Sequence, residues 1–201
     1  MKRTVVLLCT VALLFAALLI LPIHGEAAVY DRVIRLHVLA NSDSAEDQAL
    51  KLKVRDAVLL RTQELLSGAK TREEAAAILG ANLDAVRDAA VAAVAQNGAD
   101  ATVSVSLGKE RYPTKQYEKL AFPAGEYLSL QVKLGSAKGQ NWWCVLFPPL
   151  CLSAASAEKE TEAAFLAAGL TGEQYRMIAD TDSTKYRLRF KILELAQALF
   201  H

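Results

Sequence analysis

Little in this chain points to chemistry of its own. Its 201 residues include three histidines and three cysteines, and their spacing makes no metal-ligand set. His24 falls in an apolar N-terminal region and His201 is the last residue, so His37 is the one histidine inside the body of the chain. An excess of charge is missing as well. There are 23 basic against 22 acidic residues, and 21 against 21 once Lys2, Arg3 and Glu26 are set aside with the leader. Without a basic run there is no electrostatic footing for nucleic acid or an anionic membrane surface. No phosphate loop is present either. A strand followed by Asn41-Ser42-Asp43-Ser44 and a helix can hold an anion on backbone N–H groups. Here, however, Asp43, Glu46 and Asp47 already put negative charge at that end, and no glycine lets a phosphate close in. Capping explains the cluster better. Nothing calls for a cofactor, a metal or a small-molecule substrate, and the expected partner is a protein. No internal repeat or low-complexity linker interrupts the chain, so a single α+β domain is the economical reading.

What is present begins with a leader. Lys2 and Arg3 precede an uncharged run from Thr4 to Ile23, and Gly25-Glu26-Ala27 supplies small residues for cleavage. Residues 1–28 therefore read as a signal peptide or an N-terminal membrane anchor, the run at 4–23 being near the ~20 residues that span a bilayer. Residues 29–201 form the domain. Export makes Cys144 and Cys151 a candidate disulfide. The intervening Phe-Pro-Pro extends the chain, however, and cysteine is often buried without a bridge. Both readings stay open. Cys9 lies in the leader.

The most apolar stretch of the body, Gln140 to Cys151, holds both tryptophans and two of the three cysteines. From Trp142 to Phe147 it reads as a strand buried on both faces and placed centrally, ended by Pro148-Pro149. Ahead of it, residues 33–40 alternate with Ile34, Leu36 and Val38 on one face and Arg35 and His37 on the other, a half-buried strand. Ser44 caps a helix running to Leu66, with Leu50, Val54, Ala57 and Val58 inward and Lys51, Lys53, Arg55 and Arg61 solvated. Thr71-Arg72-Glu73-Glu74 is a capping box opening a second helical stretch to Asn97-Gly98, which Gly80 and Asn82 split or kink. Strands follow at 102–107 and 126–134, the latter with Ser129, Gln131 and Lys133 outward, and with the Trp-Trp strand they predict an antiparallel three-strand meander. Residues 153–171 suggest a surface helix or excursion, and 184–200 a C-terminal helix. Between the first two meander strands, Lys109 to Gly125 reads as a long irregular segment. It carries Tyr112, Tyr117 and Phe122, rings that suit protein recognition from a loop.

Two readings of function compete on the residues alone. Cys144 with His37 could form the pair of an exported cysteine hydrolase acting in the cell envelope, although an apolar strand raises a thiol pKa. An anchored structural protein of the envelope needs only an uncleaved leader.

A resemblance points to a third reading and leaves these two as alternatives. Arg35-Leu36-His37-Val38-Leu39-Ala40-Asn41-Ser42-Asp43-Ser44, with Glu46-Asp47-Gln48-Ala49-Leu50-Lys51-Leu52-Lys53-Val54-Arg55-Asp56 after it, resembles the opening signature of the stage II sporulation protein R family. Phe122-Pro123-Ala124-Gly125-Glu126-Tyr127 and Asn141 to Cys151 are similar to its other two signatures. The likeness spans residues 29–200, with no family motif in 153–175. It implies an intercellular signalling protein of endospore formation, exported across the forespore membrane into the space facing the mother cell. There, such proteins trigger a membrane-embedded aspartic-type protease that processes pro-sigma-E. The family transfers no catalytic residue. Asn41 and Asp43, whose capping role is less evident than that of Ser44 and Asp47, join Tyr112, Tyr117 and Phe122 as candidate partner-binding residues.

Overall fold

The computed structural model describes residues 2–6, 10–11, 29–117, 120–149 and 158–180. Most of the run at 4–23 and all of 184–200 lie outside them, as does Cys151. Among the described residues no helix is long and apolar enough to cross a membrane. The elements, in order, are β1 (Ile34–Leu39), α1 (Ala45–Leu66), α2 (Arg72–Ala81), α3 (Leu83–Gln96), β2 (Val103–Tyr112), β3 (Lys115–Gln116), β4 (Ala121–Phe122), β5 (Gly125–Leu134), β6 (Asn141–Phe147), α4 (Glu158–Ala167) and α5 (Gly172–Ala179). The fold is α+β. Packing divides the chain into two compact units. One comprises Asp31–Glu110 and Tyr127–Leu170; the other comprises Met1–Tyr30, Arg111–Glu126 and Thr171–His201.

The larger unit is built on a mixed four-stranded sheet in the order β2-β5-β1-β6. β1 runs parallel to β5, with Leu36 beside Leu130, and antiparallel to β6, with Leu36 beside Cys144. Gly135 N donates to Thr102 O at 2.9 Å, which sets the end of β5 beside the start of β2 and makes that pair antiparallel. The expected meander is therefore corrected. β5 and β6 are consecutive in sequence, but β1 lies between them. Central placement moves with it, because β6 is at the sheet's edge among the described strands and β1 is inside. Burial from Cys144 to Phe147 is as expected, while Trp142 and Trp143 are half-buried.

Local signals set the helices. Ser44 accepts from Asp47 N at the start of α1, and Thr71 and Glu74 complete a capping box at α2. Asn82 ends α2 and begins α3, its amide donating to Ile78 O at 2.8 Å, so the expected split is a clean break. α1 packs on α3, α2 and β1. Leu50, Val54, Val58 and Leu59 join Leu79, Val86, Ala90 and Val94 in one core with Ile34, Leu36, Val38, Leu130, Val132, Cys144 and Leu146. α4 is the expected surface helix, with Phe165 fully buried, Leu166 exposed, and Ala168 just past its end joining the core.

Several polar side chains expected outside are inside. Arg35 and Ser129 have no exposed surface, and Lys51 and His37 are buried. Alternation correctly assigned Arg35, His37 and Ser129 to a different face from the leucines and valines, but that second face of the sheet is covered too; Lys51, on α1, is buried where the helix meets the turn at Gln140.

In the smaller unit the segment expected as an irregular loop carries strands among its described residues. β2 continues to Tyr112, and β3 pairs with β4, Lys115 opposite Phe122. A two-residue ladder is not stable alone. Burial of Leu120 and Phe122 holds it, at about 1.5–3 kcal/mol for each side chain. α5, which the sequence reading missed, packs against β4 and buries Tyr175 and Ile178. Its own capping box, Thr171 with Gln174, was the available signal. Thr71→Ala removes one half of the equivalent box at α2 and is expected to lower unfolding free energy by about 1 kcal/mol, read by chemical denaturation.

Candidate functional site

The polar segment after β1 is a knot tying the start of α1 to the turn between β5 and β6. Asn41 Nδ2 donates to Asp47 Oδ2 at 2.9 Å and Ser42 Oγ donates to the same oxygen. Asn41 Oδ1 accepts from Ser136 N at 2.9 Å, and its backbone oxygen accepts from Ser136 Oγ and Lys138 N. Asp43 Oδ1 accepts from Gln140 N at 2.7 Å. The turn can come this close because it has no Cβ at two points. Gly135 has φ +53°, and a Cβ there would lie 2.2 Å from Asn41 Oδ1; at Gly139 it would lie 2.1 Å from Ser42 O. Asn41 and Asp43 thus have internal work, most of which a reading of one segment could not reveal, because Ser136 lies 95 residues from Asn41 and Gln140 lies 97 from Asp43.

Two charges flank this knot. Hydrogen bonds from Ser42 and then Asn41 hold the Asp47 carboxyl below the usual carboxylate range, burial opposing them. Burial holds Lys51 below the usual lysine range while the Asp43 charge pulls it back up. Lys51 Nζ donates to Gln48 Oε1 at 2.6 Å and to Gln140 O at 3.0 Å, so this buried ammonium also fastens the turn to α1.

The second face of β1 carries another polar group. His37 Nδ1 lies 2.7 Å from Glu110 Oε1 and its Nε2 lies 2.9 Å from Asn141 Oδ1, linking β1 to β2 and β6. Trp143 stands beside the imidazole, ring centroids 5.4 Å apart. Arg35 Nε donates to Cys144 O at 3.1 Å, and its guanidinium lies 5.0 Å from the centre of the Tyr127 ring. Arg35, on the face of β1 away from Leu36, is therefore enclosed by protein groups.

The strand register decides the cysteine question. Cys144 is opposite Leu36 and Trp143 is opposite His37. Paired residues share a face and successive residues alternate, so Cys144 and His37 point to opposite sides of the sheet. The Cys144 sulfur is also disulfide-bonded, its partner lying outside the described residues. A thiolate–imidazole pair cannot form from these two residues.

Of the aromatic candidates, Tyr112 and Phe122 are buried. Tyr117 is half-exposed and meets Phe122 edge-on at 6.0 Å. Thr114 Oγ1 accepts from Ala124 N, and Tyr30 donates to Ala124 O at 3.1 Å, bracing this hairpin. No cluster of three or more His, Cys, Asp or Glu residues that could hold a metal is present among the described residues.

The fold and this site define a scaffold: internally satisfied polar residues fix a turn, and a braced hairpin carries a half-exposed tyrosine. A family model, stage II sporulation protein R, matches residues 30–157. The chain is 37% identical over 174 residues to "Stage II sporulation protein R" of Bacillus subtilis (strain 168), covering 81% of this chain and 78% of that protein. It belongs to the stage II sporulation protein R family. No solved structure matches the chain.

Two outcomes test the knot. Gly139→Ala forces a methyl into the Ser42 backbone and is expected to destabilise by about 2 kcal/mol or more, as a lowered denaturation midpoint. For Asp47, whose folded-state pKa is depressed, the contribution is present above its unfolded pKa and is lost as pH falls through the folded value. Asp47→Asn is expected to lose stability at neutral pH and to show a flatter decline of melting temperature with acidification.

Proposed function

We propose that the chain is an exported intercellular signal of sporulation that activates a membrane-embedded aspartic-type protease, the enzyme that processes pro-sigma-E. The observation that carries this reading is family membership over most of the body of the chain. Residues 1–28 serve as export signal or anchor, and the body acts in the space between forespore and mother cell. It acts by binding and not by covalent chemistry. The separation of His37 and Cys144 onto opposite faces supports that choice over a hydrolase.

Within this reading Tyr117 is the anchor offered to the receptor, because it is the half-exposed member of the aromatic set while Tyr112 and Phe122 support it from within. Asn41 and Asp43 then act by shaping the turn at 135–140. The Cys144 bond we assign to Cys151, the nearer of the two remaining cysteines in sequence.

Reconstitution of the protease with pro-sigma-E and the purified chain tests the function directly: cleavage is expected only when the chain is added. Cleavage that is the same without it would end the proposal. Tyr117→Ala is expected to keep its melting temperature and to require at least tenfold more protein for half-maximal cleavage, consistent with a hot spot of about 2 kcal/mol. Cys144→Ser is expected to cost on the order of 2–5 kcal/mol in stability while the folded fraction still signals.

A further inference from the structure

The first half of β2 forms an open rim of the sheet in the larger unit. β2 stands at the end of the order β2-β5-β1-β6, so among the described strands it has a neighbour on one side only. Gly135 N donates to Thr102 O, which turns the backbone groups of Thr102 towards β5. In a strand a residue's N–H and C=O point to the same side, and successive residues alternate. Those of Ser104 and Ser106 therefore also face β5, while those of Val103, Val105 and Leu107 face outward. Among the described residues no backbone group meets them.

Strand edges are ordinarily blunted by lysine, proline or an inward-pointing charge. Residues 103–107, Val-Ser-Val-Ser-Leu, carry none of these, and the charges of β2 begin at Lys109. Val103, Val105 and Leu107 pack on the core from one face yet are only half-buried, so each leaves apolar surface at the rim. Ser104 and Ser106 are exposed on the other face.

We infer that this edge pairs two copies of the chain, residues 103–107 of one against 103–107 of the other, antiparallel about a two-fold axis at Val105. The pattern selects the occupant, because apolar and polar positions read the same in both directions. Val105 falls opposite Val105 and Val103 opposite Leu107, as hydrogen-bonded pairs that use every outward N–H and C=O. Apolar side chains then meet on the core face, and Ser104 meets Ser106 on the other. Charges match at the ends. Lys109 of one copy lies opposite Ala101 of the other, next to exposed Asp100, while Glu110 is turned to His37 of its own copy. A self-complementary patch of this form closes as a dimer. With only these few residues a side, against ~20–30 in a standard interface, the pairing is reversible. The inference rests on the strand edge and is independent of the receptor reading.

Sedimentation equilibrium of the full chain in density-matched detergent micelles reads the association. Wild type is expected to be dimeric at about 100 µM chain and to dissociate on dilution. Ser104→Lys/Ser106→Lys, at two exposed positions, sets lysine opposite lysine twice and is expected to weaken the dimer by at least about tenfold with the melting temperature unchanged. Mixing it with an equal amount of Ser104→Glu/Ser106→Glu is expected to restore the dimer, which association through the leader would not do. Oxidised glutathione reads the register separately in a Cys9→Ala background. Val105→Cys is expected to link two chains, its Cα atoms being about 5.5 Å apart, whereas Val103→Cys faces Leu107 and stays unlinked. A monomer at about 100 µM, a dimer indifferent to the lysine pair, no recovery on mixing, or failure of Val105→Cys to link more than Val103→Cys would each overturn the inference.

Discussion

The structure depends on one constraint: β1 lies between β5 and β6 and is buried on both faces, although two of its six side chains, Arg35 and His37, are polar or charged. Burying Arg35 and His37 without partners would cost several kcal/mol, more than a few apolar contacts return. The chain meets that cost with groups from the other three strands of the sheet. Glu110 comes from β2, Tyr127 from β5, and Asn141 and the Cys144 carbonyl from β6. Each of these bonds also fixes register, because a one-residue slip would turn Arg35 and His37 into the leucine–valine side. Polar burial here ties β1 to its two neighbours and, across the sheet, to β2.

The knot after β1 extends the same logic to the sheet's end. Parallel pairing of β1 with β5 leaves their ends on one side, so the β5–β6 turn must pass the start of α1. Asn41, Asp43 and Lys51 hold it there, and Gly135 and Gly139 give the room. The strand, polar turn and helix at residues 34–66 of this chain thus answer an assembly requirement. Partner contact is not needed to account for those residues.

Much of the local structure was legible. The caps at Ser44 and Thr71, the break at Asn82 and the extent of β1 follow from side chains a few residues apart, whose interactions are written in sequence order. Sheet order was not. The apolar run at Trp142–Phe147 reads as central because apolarity reports burial, and an edge strand under cover is as buried as an inner one. The burial of Arg35, His37, Lys51 and Ser129 was hidden for a related reason. A polar residue is tolerated inside only when a partner meets it, and Glu110, Asn141 and Gln140 are distant in sequence. For the site, the aromatic segment was found but not its order: two-residue strands carry too little periodicity to see, and nothing local separates the half-exposed Tyr117 from the buried Tyr112 and Phe122.

Native-state hydrogen exchange of the full chain tests the central placement of β1 most directly. The account predicts that the amides of Arg35, Leu36, His37 and Val38 exchange only through global unfolding, with the same free energy and denaturant dependence as loss of the whole fold. Exchange of those four amides through a local opening, while the core of α1 stays protected, would contradict it.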